Sequence, residues 1–195
     1  EADLPNECWQ ADFTHVRLAT GRDAEVLLWI DDHSRYLISA TAHAPVTGRI
    51  VLDAFRAASA IHGIPQSTLT DNGFVFTTRH RGGPNACEIE LHNRGVAQKN
   101  GTPNHPQTQG KVERFHGTIA AEVFTPHPAP FPDLPTVQTA FDAFRTRYNH
   151  ERPHEALTNT VPADHYRPSL RPFPDSLPAP TYAPMPSWCR PAAPA

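Results

Sequence analysis

Three runs near the start of the chain carry the period of a β-strand with only turn residues between them, and nothing else in the sequence limits the fold so tightly. In residues 8–16, Trp9, Ala11 and Phe13 point one way and Cys8, Gln10, Asp12 and Thr14 the other, which is strand alternation. Ala24 to Asp31, through Val26, Leu27, Leu28, Trp29 and Ile30, is nearly continuous and apolar, as a strand buried on both faces reads. After the turn Asp32-His33-Ser34-Arg35, a third run occupies Tyr36 to Ala42. The expectation is an antiparallel meander.

Helical spacing takes over at about 47–62, where Val51, Phe55, Ala58 and Ile61 are expected to form one apolar face. Thr47 is the expected N-cap, Gly63 the residue that ends the helix, and Pro65 blocks continuation. Ser67 to Asp71 then reads as a fourth strand, reached by a crossover and therefore parallel. A short helix over 86–94 and a fifth strand from Val96 to Lys99 follow. Two amphipathic helices close the pattern: Gln109 to Val123, with Val112, Phe115, Ile119 and Val123 in line, and 134–149, with Val137, Phe141, Phe144 and Tyr148. The order predicts an α/β fold, a mixed five-stranded sheet flanked by helices.

Ten of the 22 prolines fall in residues 158–195, where they remove amide donors and favour extended chain. The expected organisation is one catalytic-sized core over 1–157 and a proline-rich extension over 158–195, either extended or partly disordered. Trp9 and Trp29 read as core, and Trp188 as an exposed ring or an anchor. The only methionine is Met185, so the chain is expected to be a piece of a longer or processed polypeptide. No run approaches the roughly 20 apolar residues of a membrane helix. Cys8, Cys87 and Cys189 are too few and too scattered for a disulfide scaffold or a zinc site, and a reducing, cytoplasmic setting is expected. The net charge of −3 argues against a uniformly basic nucleic-acid binder, although a whole-chain sum hides any local stripe.

Three acids stand where this order of elements can gather them: Asp12 within the first strand, Asp71 at the end of the fourth, and Glu113 near the start of the helix from Gln109. Clustered carboxylates repel one another unless a cation sits between them, and hard oxygen donors suit Mg²⁺ or Mn²⁺. Two such ions about 3.5–4 Å apart support phosphoryl transfer. Each acid alone also has a plainer reading: an aspartate before Asn-Gly forms turns, and a glutamate on a helix faces solvent. Asp12 is the least ordinary, since aspartate is disfavoured inside strands.

The segments around these acids resemble the integrase-core (DDE) catalytic domain of bacterial insertion-sequence transposases, which are similar to retroviral integrases. The resemblance rests on Trp9-Gln10-Ala11-Asp12-Phe13-Thr14, Ile30-Asp31-Asp32-His33-Ser34-Arg35-Tyr36, Thr70-Asp71-Asn72-Gly73-Phe74-Val75-Phe76, the run from Asn104 to His116, and Tyr148-Asn149-His150-Glu151-Arg152-Pro153-His154-Glu155-Ala156-Leu157. It implies a ribonuclease-H-like fold, a triad on Asp12, Asp71 and Glu113 that also holds two Mg²⁺ or Mn²⁺ ions, and DNA 3′-end cleavage followed by strand transfer. It further implies DNA as partner, for both element ends and target, and a homo-oligomer on DNA. The stretch between the second and third acids looks longer than in retroviral integrases, with the surplus expected in residues 79–85.

With that resemblance, Lys111 and Arg114 beside Glu113, Lys99, Gln107, Gln109, His105 and Asn72 become candidate DNA contacts; otherwise they read as an ordinary charged face and loop. His116 is expected to be exposed or to support the acids from behind, and Arg152-Pro153-His154 to hold the last helix to the core. Two alternatives stay open: a nuclease of the same fold that only hydrolyses, and a DNA-binding or assembly module without chemistry.

Overall fold

The computed structural model describes residues 2–71, 73–78, 83–100, 114–127 and 129–171. Among them, β1 (Cys8–Arg17), β2 (Asp23–Asp31) and β3 (Leu37–His43) form the expected meander, followed by α1 (Gly48–His62), β4 (Ser67–Thr70), α2 (Ala86–Asn93) and β5 (Ala97–Asn100). A helix over 114–119, α3, ends in a π-helical turn, Ala120–Phe124. Then come α4 (Leu134–His150), a 3₁₀ turn at Glu155–Leu157 and the short α5 (Pro162–His165).

The strand order is β3-β2-β1-β4-β5. β1 pairs antiparallel with β2 and β2 with β3, whereas β4 joins β1, and β5 joins β4, in parallel. The parallel additions are those that follow helical crossovers, as chain connectivity requires.

Each face of the sheet carries its own apolar cluster. Trp9, Ala11, Leu27, Trp29 and Ile38 pack with Val51 and Phe55 of α1, Cys87 and Leu91 of α2, and Tyr166. On the other face Val16, Val26, Leu28 and Leu37 meet Phe115, Ile119 and Val123 of α3 and Val137, Phe141, Phe144 and Tyr148 of α4. β2 is therefore covered on both sides, which is why its sequence shows little alternation. The odd–even split in β1 sends Trp9 and Ala11 toward α1, and leaves Gln10 and Asp12 on the face covered by α3 and α4.

Helix ends follow their sequence signals. Thr47 Oγ1 accepts the Ile50 N–H at 3.3 Å, and Gly63 closes α1 at φ 74 with its N–H on the Ser59 carbonyl. Asn85 and Glu88 form a reciprocal capping box on α2.

Ile61 departs from expectation: it is 74% exposed, while the buried stripe of α1 is Val51, Leu52, Phe55, Ala58 and Ser59. At 100° per residue Ile61 lies about 120° from the centre of that stripe. The fourth strand also stops at Thr70, so Asp71 stands one residue past its end.

Beyond residue 157 the chain stays against the core as far as Arg171. Tyr166 is buried, stacks on Tyr36 with ring centroids 4.3 Å apart, and donates to Asn6 Oδ1 at 3.1 Å. Ser169 and Arg171 bond back to the His62, Ile64, Pro65 and Gly95 carbonyls. Residues 172–195, including Trp188, lie outside the described residues.

Candidate active site

The pairing of β1 with β4 sets Cys8 opposite Ser67, Trp9 opposite Thr68 and Gln10 opposite Leu69. The same offset of 59 relates Asp12 to Asp71, which stands one residue past the end of β4, so two acids far apart in sequence are carried toward the same end of neighbouring parallel strands. Leu69 is in turn opposite Lys99 on β5, whose side chain is exposed.

Asp12 is held from two directions. Its Oδ1 accepts the Phe13 N–H at 2.8 Å, and His116 Nε2 donates to its Oδ2 at 2.8 Å. Asp71 folds onto its own turn, with Oδ1 accepting the Gly73 N–H at 2.8 Å. A Cβ at position 73 would lie 2.8 Å from that same oxygen, so a larger residue there would displace the Asp71 carboxylate from this bond.

The segment after Asp71 is fastened from α2. The N–H groups of Phe76 and Thr77 turn back onto the Gly73 carbonyl. Buried Glu88 accepts from Thr77 Oγ1 at 2.8 Å, from the Thr78 N–H at 3.1 Å and from the Asn85 N–H at 2.9 Å. Glu88 was not foreseen as a support of the site, although the Asn-x-x-Glu spacing of its capping box is readable in the sequence.

Beside Asp12 opens a cavity of about 580 Å³ whose polar lining includes Gln10, Arg35, Arg114, Glu122, Arg152 and His154. Gln10 donates to Asp32 Oδ1 at 2.6 Å and Arg35 pairs with the same oxygen at 3.1 Å. Arg152 Nε pairs with Glu122 Oε1 at 2.6 Å, tying the end of α4 to the π-helical turn, in keeping with the expected role of Arg152-Pro153-His154. Burial, and then the Arg152 charge, hold His154 below the ordinary imidazole value. Four of the five sequence segments quoted above contribute to this lining.

Of the expected site residues, Asp12 lies within β1, Asp71 stands one residue past the end of the neighbouring β4, and Arg114 lines the cavity beside Asp12. Lys99 lies one strand further along the sheet. Glu113, Lys111, Gln107, Gln109, His105 and Asn72 lie outside the described residues. Among those that are described, no three His, Cys, Asp or Glu side chains converge as a ligand set. The oxygens of Asp12 and Asp71 are nevertheless of the kind that suits a hard divalent cation. A carboxylate oxygen accepts two hydrogen bonds, and each bonded oxygen of Asp12 and Asp71 has one donor, which leaves directions for coordination.

The sheet order and helix placement are those of a ribonuclease-H-like fold, and the chain matches two family models that are both described as integrase core domain, over residues 2–106 and 94–162. It belongs to the integrase core domain family. An uncharacterized 31.7 kDa protein of insertion element IS407 from Burkholderia multivorans is 29% identical over 160 residues, covering 82% of this chain and 55% of the relative. An uncharacterized 39.2 kDa protein of insertion element IS476 from Xanthomonas euvesicatoria is 26% identical, covering 83% and 44%. The chain thus spans about half the length of these relatives. In the solved structure of the HTLV-2 integrase catalytic core domain in complex with magnesium, the similar chain is 20% identical with a TM-score of 0.65, over 85% of this chain and all of that one. A chain of the simian T-cell lymphotropic virus intasome with the PP2A regulatory subunit B56 gamma is 23% identical with a TM-score of 0.69, over 94% of this chain and 62% of that one. No helix among the described residues is long and apolar enough to cross a membrane.

Proposed function

We propose that this chain is the catalytic core of a DDE transposase, cutting DNA at the 3′ ends of a mobile element and joining those ends to target DNA. The observation that supports the reading is the β1–β4 register, whose offset of 59 also relates Asp12 on β1 to Asp71 just past β4, in a chain of the integrase core domain family.

Asp12, Asp71 and Glu113 are the proposed ligands of two Mg²⁺ or Mn²⁺ ions. When bound, such ions supply charge neutralisation at the attacking and leaving oxygens of an in-line phosphoryl transfer. The chain's own part is placement. Asp12 sits on a central strand and Asp71 is held by the Gly73 turn, so the donors are ordered before substrate arrives. In the helix expected from Gln109, Glu113 is one turn before His116 and shares its face; His116 meets Asp12. No covalent enzyme intermediate is required: water attacks the first phosphodiester, and the freed 3′-hydroxyl attacks the second, so one P–O bond forms as another breaks.

Arg114, Lys111 and Lys99, with Gln107, Gln109, His105 and Asn72, are proposed to contact the DNA. A homo-oligomer on DNA and action in the cytoplasm complete the proposal.

The test is product analysis with oligonucleotides bearing a free 3′-hydroxyl, in Mg²⁺ or Mn²⁺. Joined products longer than the substrate, lost on Asp71→Asn, are expected. Shortened products alone would identify a hydrolytic nuclease, and activity that survives Asp71→Asn would overturn the site.

A further inference from the structure

The two donors to Asp12 differ in kind. The Phe13 N–H is the neighbouring amide of the same strand and would be present with any residue but proline at that position. His116 reaches Oδ2 from another element, across 104 positions of sequence. Among the described residues it is the side-chain donor to this acid. Both side chains are about one-third exposed, 32% for His116 and 33% for Asp12, so the bond is not one that burial demands.

Its effect is orientational. The terminal torsion of an aspartate is broad, and a carboxylate held through one oxygen keeps that freedom. With a donor on each oxygen the plane is fixed, while one accepting direction on each remains open. An ionised carboxylate only accepts, so Nε2 carries the proton in this bond. The bond also joins β1 to α3.

We infer that His116 is a positioning residue: by donating from Nε2 it holds the Asp12 carboxylate in the orientation that receives a divalent cation. The inference rests on the reading of Asp12 as a metal ligand. Outer partners of this kind set the orientation of the groups that touch the ion, and losing one costs about 10- to 100-fold in metal affinity or activity.

The experiment compares His116→Leu, which keeps bulk and removes the donor, with His116→Gln, which restores a donor at similar reach. Mn²⁺ binding to the full chain is followed by electron paramagnetic resonance without DNA, beside wild type and Asp12→Asn, with thermal melting as a check on folding. His116→Leu is expected to weaken Mn²⁺ binding about 10-fold or more, and His116→Gln to recover most of it. In a joining assay the His116→Leu defect is expected to shrink as Mn²⁺ is raised, which a purely structural defect would not do. If Asp12→Asn weakens Mn²⁺ binding but His116→Leu binds like wild type or more tightly, the positioning role is overturned and the metal site stands. If Asp12→Asn binds like wild type, the metal reading falls and this inference with it.

Discussion

Asp12 and Asp71 are 59 positions apart in sequence, the offset already kept by Gln10 and Leu69 in the β1–β4 ladder. One parallel pairing thus carries toward the same end of two neighbouring strands two acids that local sequence cannot connect. Most of what positions the candidate site follows from keeping that register and the turn beyond β4.

Gly73 tests the turn. An added Cβ would sit 2.8 Å from Asp71 Oδ1, so Gly73→Ala must push the carboxylate aside. Misplacement of a reacting group by about 1 Å costs on the order of 100-fold in rate. A comparable loss of DNA joining is expected, with a melting temperature close to wild type because Asp71 and its turn lie at the surface.

The α1–α2 contact tests stability away from the site. Glu90 accepts from Arg56 of α1 at 3.0 and 3.1 Å and from Arg94 Nε at 2.7 Å. The Arg56 bonds, followed by those from Arg94, hold its carboxyl below the usual range. Glu90→Gln removes the negative charge between two guanidinium groups and is expected to cost about 2 kcal/mol, read as a lower urea midpoint with an unchanged slope.

Protonation gives a third prediction. Burial, and secondarily the charges of Arg145 and Arg152, hold His62 and His154 below the ordinary value of 6.5. The folded chain therefore favours the neutral rings, while the unfolded chain takes up protons near pH 6.5. Their contribution is present above that pH and is lost as pH falls toward the depressed folded values. Melting temperature is expected to drop below about pH 6.5, and more gently in His154→Gln.

DNA affinity should be electrostatic and salt-sensitive. Arg114 is exposed at the rim of the cavity beside Asp12, where it can reach a phosphate. Arg114→Ala is expected to weaken binding of all sequences alike and to lower the slope of log affinity against log salt by about 1, measured by fluorescence anisotropy. A sequence-selective loss would contradict a phosphate contact.

How much of this was legible depended on whether burial leaves a period. Val137, Phe141, Phe144 and Tyr148 recur at helical spacing because one side of α4 packs on the sheet, and β2 reads as a strand because both its faces are covered. Ile61 misled because it is apolar, although it falls well off the buried stripe of α1. The bond from His116 to Asp12 spans 104 positions, and no periodicity reports a contact of that range. Tyr166 lies in a proline-rich stretch without a periodic pattern to announce that it stacks on Tyr36. Asp12 stood out for the opposite reason: it breaks the apolar expectation of a strand, and such local conflicts concentrate at functional positions.

Anomalous diffraction from crystals soaked in Mn²⁺ reads out whether oxygens of Asp12, Asp71 and Glu113 share divalent cations. A peak is expected within about 2.0–2.3 Å of carboxylate oxygens from both Asp12 and Asp71, with Glu113 completing the set, and is expected to vanish in Asp71→Asn crystals. A peak bound elsewhere, or Glu113 found on a surface remote from both aspartates, would contradict such a shared site.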